Sequence, residues 1–179
     1  MLLPQPERPV PPGHPIHGLF RQLTARAMAQ VGLQEGDLIS YLPELLVRFV
    51  HVDALYRLRD AEGARVEYLF EMMELAEEVG ESRRREAYRH VGDFSLFILG
   101  FYPERLERRR RPVLGPDDWA EQGRLSYARA AEAPGDEPPS PLLRKLAGTF
   151  ESCAVGLSWV RQYTHDPFYQ YMLRQFGVA

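Results

Sequence analysis

Cysteine is nearly absent from this chain of 179 residues: Cys153 stands alone, so no disulfide can close within the chain and no thiolate cluster can hold zinc or an iron–sulfur centre. A reducing compartment is the natural home for such a protein, and the expectation is cytoplasmic. Asparagine is missing altogether and Lys145 is the sole lysine, so arginine supplies nearly all positive charge. This skew suits a GC-rich bacterial genome. Long apolar runs are missing too. The longest, residues 94–102, is interrupted by Ser95 and is about half of what a spanning helix needs, which excludes membrane insertion. Residues 1–15 carry six prolines and no apolar core of a signal peptide, so they are expected to form a flexible proline-rich arm.

What is present describes one ordinary domain. The chain is 45% apolar and 26% charged with a net charge of -3, and at this length it can bury a core without staples. Proline and glycine divide residues 16–179 into helical segments. Phe20, Leu23, Ala27 and Val31 follow the 3-4-4 spacing of a helix face, and Gly32 stands where a left-handed C-terminal cap belongs. A second helix is expected to open near Ser40 with Pro43 in its first turn, running through Leu42, Leu45, Leu46, Phe49 and Val52. Beyond it, continued helix through Tyr56 is preferred, with a short hairpin over residues 55–70 as the alternative.

Leu69, Met72, Met73, Ala76 and Val79 form the next stripe, from Val66 to a stop at Gly80. Ser82 then caps a helix that starts with three arginines at 83–85 and ends in the apolar turn before Gly100. Asp117 is placed at the cap of a helix bearing Trp119, Gly123, Ser126, Tyr127 and Ala130, small enough in part for a close helix crossing. Ser140 and Pro141 open one long helix with the seam Leu143, Leu146, Phe150, Cys153, Leu157 and Val160. Asp166 and Pro167 open a terminal helix. The fold class is all-α, a single-domain bundle of six to seven helices.

Searches for chemistry-bearing motifs come back empty: no dinucleotide or phosphate-binding glycine loop, no nucleophile elbow, no H-E-x-x-H, no calcium loop and no paired Glu-x-x-His. The best remaining constellation is Glu86, His90 and Asp93, at i, i+4 and i+7 on one helix face. Asp93 begins an apolar run, and a buried carboxylate must be paired or protonated. Gly92 beside it invites a close crossing. One reading is an acid/base or metal site, completed by His51; the other is an Arg–Asp or Tyr–Asp lock that orients the bundle. His14 and His17 form an H-x-x-H pair without further ligands nearby, and His17 fits the first turn of the first helix. No cofactor is expected.

The arginines at 108–111 and 83–85 could grip phosphate, but acidic neighbours and a negative net charge favour a solvated face, so nucleic acid is not the expected partner. The terminal segment holds Phe168, Tyr169, Tyr171, Met172 and Phe176, too many large groups for one buried face, so they either cover the chain's own bundle or form an interface with a second copy or a protein partner. Cys153 lies on a helix seam and reads as a small core residue.

The run Gly92-Asp93 followed by an apolar turn and Gly100-Phe101-Tyr102-Pro103-Glu104 resembles an uncharacterised group of bacterial helical proteins. The similarity extends more loosely over residues 41–131, through Leu45-Leu46-Val47-Arg48-Phe49 and Gly123-Arg124-Leu125-Ser126-Tyr127. The resemblance implies a single helical domain and no activity. The resulting expectation is a non-enzymatic interaction or regulatory protein acting as a homodimer; the alternative is a small-molecule- or metal-dependent helical enzyme or binding protein built on Glu86, His90 and Asp93.

Overall fold

The computed structural model describes residues 10–50, 52–107, 115–133 and 138–165. Helices α1 (Pro15–Gln30), α2 (Gly36–Arg48) and the single turn α3 (Val52–Leu55) are followed by α4 (Leu69–Glu78) and α5 (Glu81–Phe101). After a second single turn, α6 (Glu104–Glu107), come α7 (Pro116–Glu132), α8 (Pro141–Gly148) and α9 (Phe150–His165). Seven of these helices have eight residues or more, the all-α bundle that the hydrophobic periodicity implies. Among the described residues none is long and apolar enough to cross a membrane.

Helix α5 is the hub. Thirteen of its 21 residues are buried, too many for a single stripe, and it packs against α4, α7 and α9. Helix α7 in turn carries α8, while α1 bridges α2 and α9. Close crossings occur where the side chain is missing. A Cβ on Gly92 would stand 2.7 Å from the Tyr127 ring, and one on Gly123 would meet Phe150 and the Ser95 hydroxyl at 2.4 and 2.6 Å. The same hydroxyl donates to the Trp119 carbonyl at 2.7 Å, tying α5 to α7.

The first helix ends as its sequence requires: Gly32 takes φ +76, and Leu33 N–H returns to the Met28 carbonyl at 2.9 Å. Other boundaries differ from expectation. Helix α2 starts at Gly36, four residues before Ser40, and Pro43 is an interior, buried residue. Leu38 is wholly buried, and Asp37 bonds its own neighbour's N–H and pairs with Lys145 on α8, so packing and charge extend the helix N-terminally past the proline. Ser40 donates instead to the Gly36 carbonyl one turn back, at 2.7 Å.

Continued helix through Tyr56 is also corrected. The chain leaves α3 and makes a minimal hairpin, with one antiparallel bridge between Arg59 and Arg65. Gly63 at φ +81 and the Asp60 carboxylate, which accepts from Ala64 N–H at 2.7 Å, build its turn. Buried Leu58 and Val66 anchor the two arms, which delays α4 to Leu69. The expected long helix from Pro141 is two helices: at Thr149 the backbone leaves the helical region, following Gly148, whose helix propensity is poor. Its seam of Leu143, Leu146, Phe150, Cys153, Leu157 and Val160 is nevertheless buried throughout.

Candidate functional site: a buried carboxylate lock

The apolar half of α5 carries Asp93 into the core, where its side chain is fully buried. Two phenols converge on one oxygen: Tyr41 of α2 donates to Oδ1 at 2.6 Å and Tyr127 of α7 at 2.7 Å. Arg48, two turns along α2 from Tyr41, places a terminal nitrogen 3.0 Å from Oδ2. That contact is an ion pair by distance but its N–H direction misses the oxygen, so Oδ2 has no aligned hydrogen bond. One carboxylate thus joins α2, α5 and α7.

Electrostatics follow from the burial. Loss of water pushes both phenols above the ordinary tyrosine range, and the Asp93 charge pushes further, so Tyr41 and Tyr127 stay protonated as donors. Burial alone would lower the Arg48 guanidinium, but neighbouring Asp93 more than restores it. Arg48 also lies over the rings of Tyr41 and Phe49, at 5.6 and 5.8 Å from their centroids.

Glu86 and His90 belong to other partnerships. Glu86 accepts from Arg57 at 2.6 Å, and this hydrogen bond and charge hold its carboxyl below the usual range despite partial burial. His90 is buried, its Nε2 donating to the Leu55 carbonyl at 3.1 Å in the neutral tautomer, with Phe49 edge-on to the ring. The three side chains that share a helical face therefore meet three different neighbours: the hairpin arm, α3, and the tyrosine–arginine lock. Among the described residues no group of three His, Cys, Asp or Glu side chains could hold a metal. His51 lies outside the described residues.

Burial and nearby Arg57 hold the His90 imidazole down at about 4. The folded protein thus excludes a proton that the unfolded chain takes up below about pH 6.5. Stability should be full above that pH and fall as pH drops from about 6.5 to 4, by roughly 3 kcal/mol over the window. Replacing His90 with glutamine, whose amide can still donate to Leu55, should flatten that slope in urea titrations at stepped pH. An unchanged slope would assign the acid sensitivity elsewhere.

Other sequence candidates have structural positions. His14 caps α1, its Nδ1 accepting from Ile16 N–H at 3.3 Å, and His17, in the first turn, lies 3.6 Å from Glu44. Arg85 bonds the Ala133 and Pro138 carbonyls at 3.2 and 2.9 Å, and Arg84 reaches the Glu77 carbonyl, so these arginines tie loops down as well as facing water. Cys153 is wholly buried, and burial raises its thiol to about 11, leaving it unreactive at neutral pH. Residues 108–111 and the aromatic set Phe168, Tyr169, Tyr171, Met172 and Phe176 lie outside the described residues. Sequence reasoning missed Tyr41, Arg48 and Tyr127 as named partners; the signal available was three polar-tipped residues on otherwise apolar helix faces. Comparison of the chain with protein-family models, with curated proteins and with solved structures finds no match.

Proposed function

We propose that this chain is a non-enzymatic interaction or regulatory protein of bacterial origin that acts as a homodimer through α9 and the aromatic segment following it. The observation that carries this reading is the outer face of α9. Val155 is 50% exposed and Trp159, one turn on, is 37% exposed. Tyr163 continues the line, its ring 6.3 Å from the Trp159 ring and covered on one side by Arg26. Three residues past α9 the sequence begins the run of Phe168, Tyr169, Tyr171, Met172 and Phe176, more large apolar groups than one helix face can hide. A second copy presents the same apolar line in return, flanked by Glu151 at one end and Arg26 at the other, which is the requirement of a two-fold interface.

The alternative, an enzyme or small-molecule-binding protein centred on Glu86, His90 and Asp93, has less support because each of these groups is already bonded to its own chain. Light scattering across a concentration series tests the proposal. Dimer is expected for the full chain, with Trp159→Glu weakening association roughly 30-fold or more, as for a central aromatic anchor. A monomer at every concentration, or a chain truncated after Thr164 that keeps both its fold and its oligomeric state, would sink the assigned interface.

A further inference from the structure

The outside of α9 repeats in threes and fours, as its buried seam does. Ser152, Val155, Trp159 and Gln162 are all exposed and stand 3, 4 and 3 residues apart. At about 100° per residue the four fall within about 40° of the direction opposite Leu157, which is wholly buried. The stripe is held in place from behind. A Cβ on Gly100 of α5 would collide with Leu157, and one on Gly156 of α9 would collide with Met28 of α1, so α9 sits tightly on both helices.

This spacing is that of a seam by which two helices pair, and a two-fold axis allows two directions. In a parallel pair each residue meets its own copy. Trp159 would face Trp159 and Val155 would face Val155, a wide layer next to a thin one, at a single interaxial distance of about 8–10 Å. In an antiparallel pair about an axis at the level of Leu157, each Trp159 rests on Val155 of the second copy and each Ser152 meets Gln162 of the second copy. Every layer then sets a large side chain against a small one. Charge favours the same order. Glu151 and His165 lie in the first and last turns of α9, both exposed and on the same flank of the stripe. Antiparallel pairing brings each Glu151 beside His165 of the second copy, whereas parallel pairing leaves them about 21 Å apart along the axis. The His165 Nδ1 is already engaged by the Arg161 carbonyl at 2.8 Å, which leaves Nε2 for the carboxylate. The helix dipoles also oppose each other in this arrangement.

We infer that two copies of this chain pair antiparallel through α9, with Val155 on Trp159, Ser152 on Gln162 and Glu151 on His165 across a two-fold axis at Leu157. The inference rests on the homodimer reading above and adds to it a direction, a register and a pair of polar contacts that select a second copy as the occupant of this face.

Thiol cross-linking of the full chain reads the direction, because Cys153 is wholly buried and stays silent. Ser152→Cys and Gln162→Cys change exposed positions and leave Val155 and Trp159 in place. The two variants, mixed and treated with a short bismaleimide, should give a covalent dimer. Either variant alone should give little, since its two thiols would stand about 15 Å apart along the axis. In light scattering, Glu151→Arg should weaken association about threefold to tenfold, as the loss of two exposed pairs per dimer implies, and His165→Glu in the same chain should restore it. Covalent dimers from either variant alone, with no gain on mixing, would make the pair parallel and overturn the inference while the homodimer stands. A charge swap that restores nothing overturns the register. Dimers in light scattering that no combination cross-links would move the interface off this face and overturn the inference too. A monomer at every concentration removes the homodimer reading and the inference together.

Discussion

Replacing Asp93 with alanine should lower stability by about 3–5 kcal/mol, the cost of breaking a buried ion pair by removing one partner. Three groups lose their counterpart at once: Arg48 its charge, and Tyr41 and Tyr127 the oxygen to which both donate. The Tyr127 phenol is wholly buried and the Tyr41 phenol partly so, so Tyr127 in particular finds no substitute acceptor cheaply. For a chain of this length the loss corresponds to a fall in Tm of roughly 10 °C, readable by calorimetry. A fall equivalent to less than about 1 kcal/mol would mean that the cluster is incidental to the bundle.

The companion experiment removes the whole polar set. Asp93→Leu combined with Arg48→Met, Tyr41→Phe and Tyr127→Phe leaves no orphaned group, and should recover most of what Asp93→Ala loses. Recovery of stability together with loss of a defined arrangement of α2 on α5, seen as broadened amide resonances, would identify the lock as a device for specificity. A quadruple variant that is both stable and well ordered would deny it that role.

The difference between what this sequence discloses and what it hides follows the range of the interactions. Gly32 and Gly80 mark helix ends because a helix terminus is a local event, whereas Gly100, expected to close its helix, lies within α5 and instead lets Leu157 of α9 come close. Gly92 and Gly123 announce close crossings, and both crossings exist. Asp93 announces itself as a buried carboxylate by the apolar residues that follow it. Its partners do not, since Tyr41 lies 52 residues away and Tyr127 lies 34 away, and periodicity within one helix does not say which neighbour it faces. The same gap explains Glu86 and His90. They lie within about 60° of Asp93 around the helix, but that arc of α5 spans three neighbours, and each side chain answers to a different one. Pro43 misleads for a related reason: a ring that would end an isolated helix is carried in the interior of α2, where Leu38 and Leu42 are wholly buried and stabilise both sides of it.

Adding one methyl group at Gly92 should cost more than its size suggests. Alanine is the better helix former by about 1 kcal/mol, so in open space Gly92→Ala would stabilise α5. Here the new Cβ would stand 2.7, 2.8 and 2.9 Å from three atoms of the Tyr127 ring, distances that force one helix or the ring to move. The ring is poorly placed to yield. It is fully buried, its hydroxyl is tied to Asp93, and its far side rests on Phe150 at a centroid distance of 6.0 Å. Overpacking of this kind costs about 1–3 kcal/mol beyond the propensity gain, and moving α7 would stretch the Tyr127 hydrogen bond as well. The two effects are separable in a double-mutant cycle. In a Tyr127→Phe background the ring is free of Asp93 and can slide, so the penalty of Gly92→Ala should shrink by about 1 kcal/mol. Equal penalties in both backgrounds would show that packing alone fixes the α5–α7 crossing, with the carboxylate contributing nothing to its position.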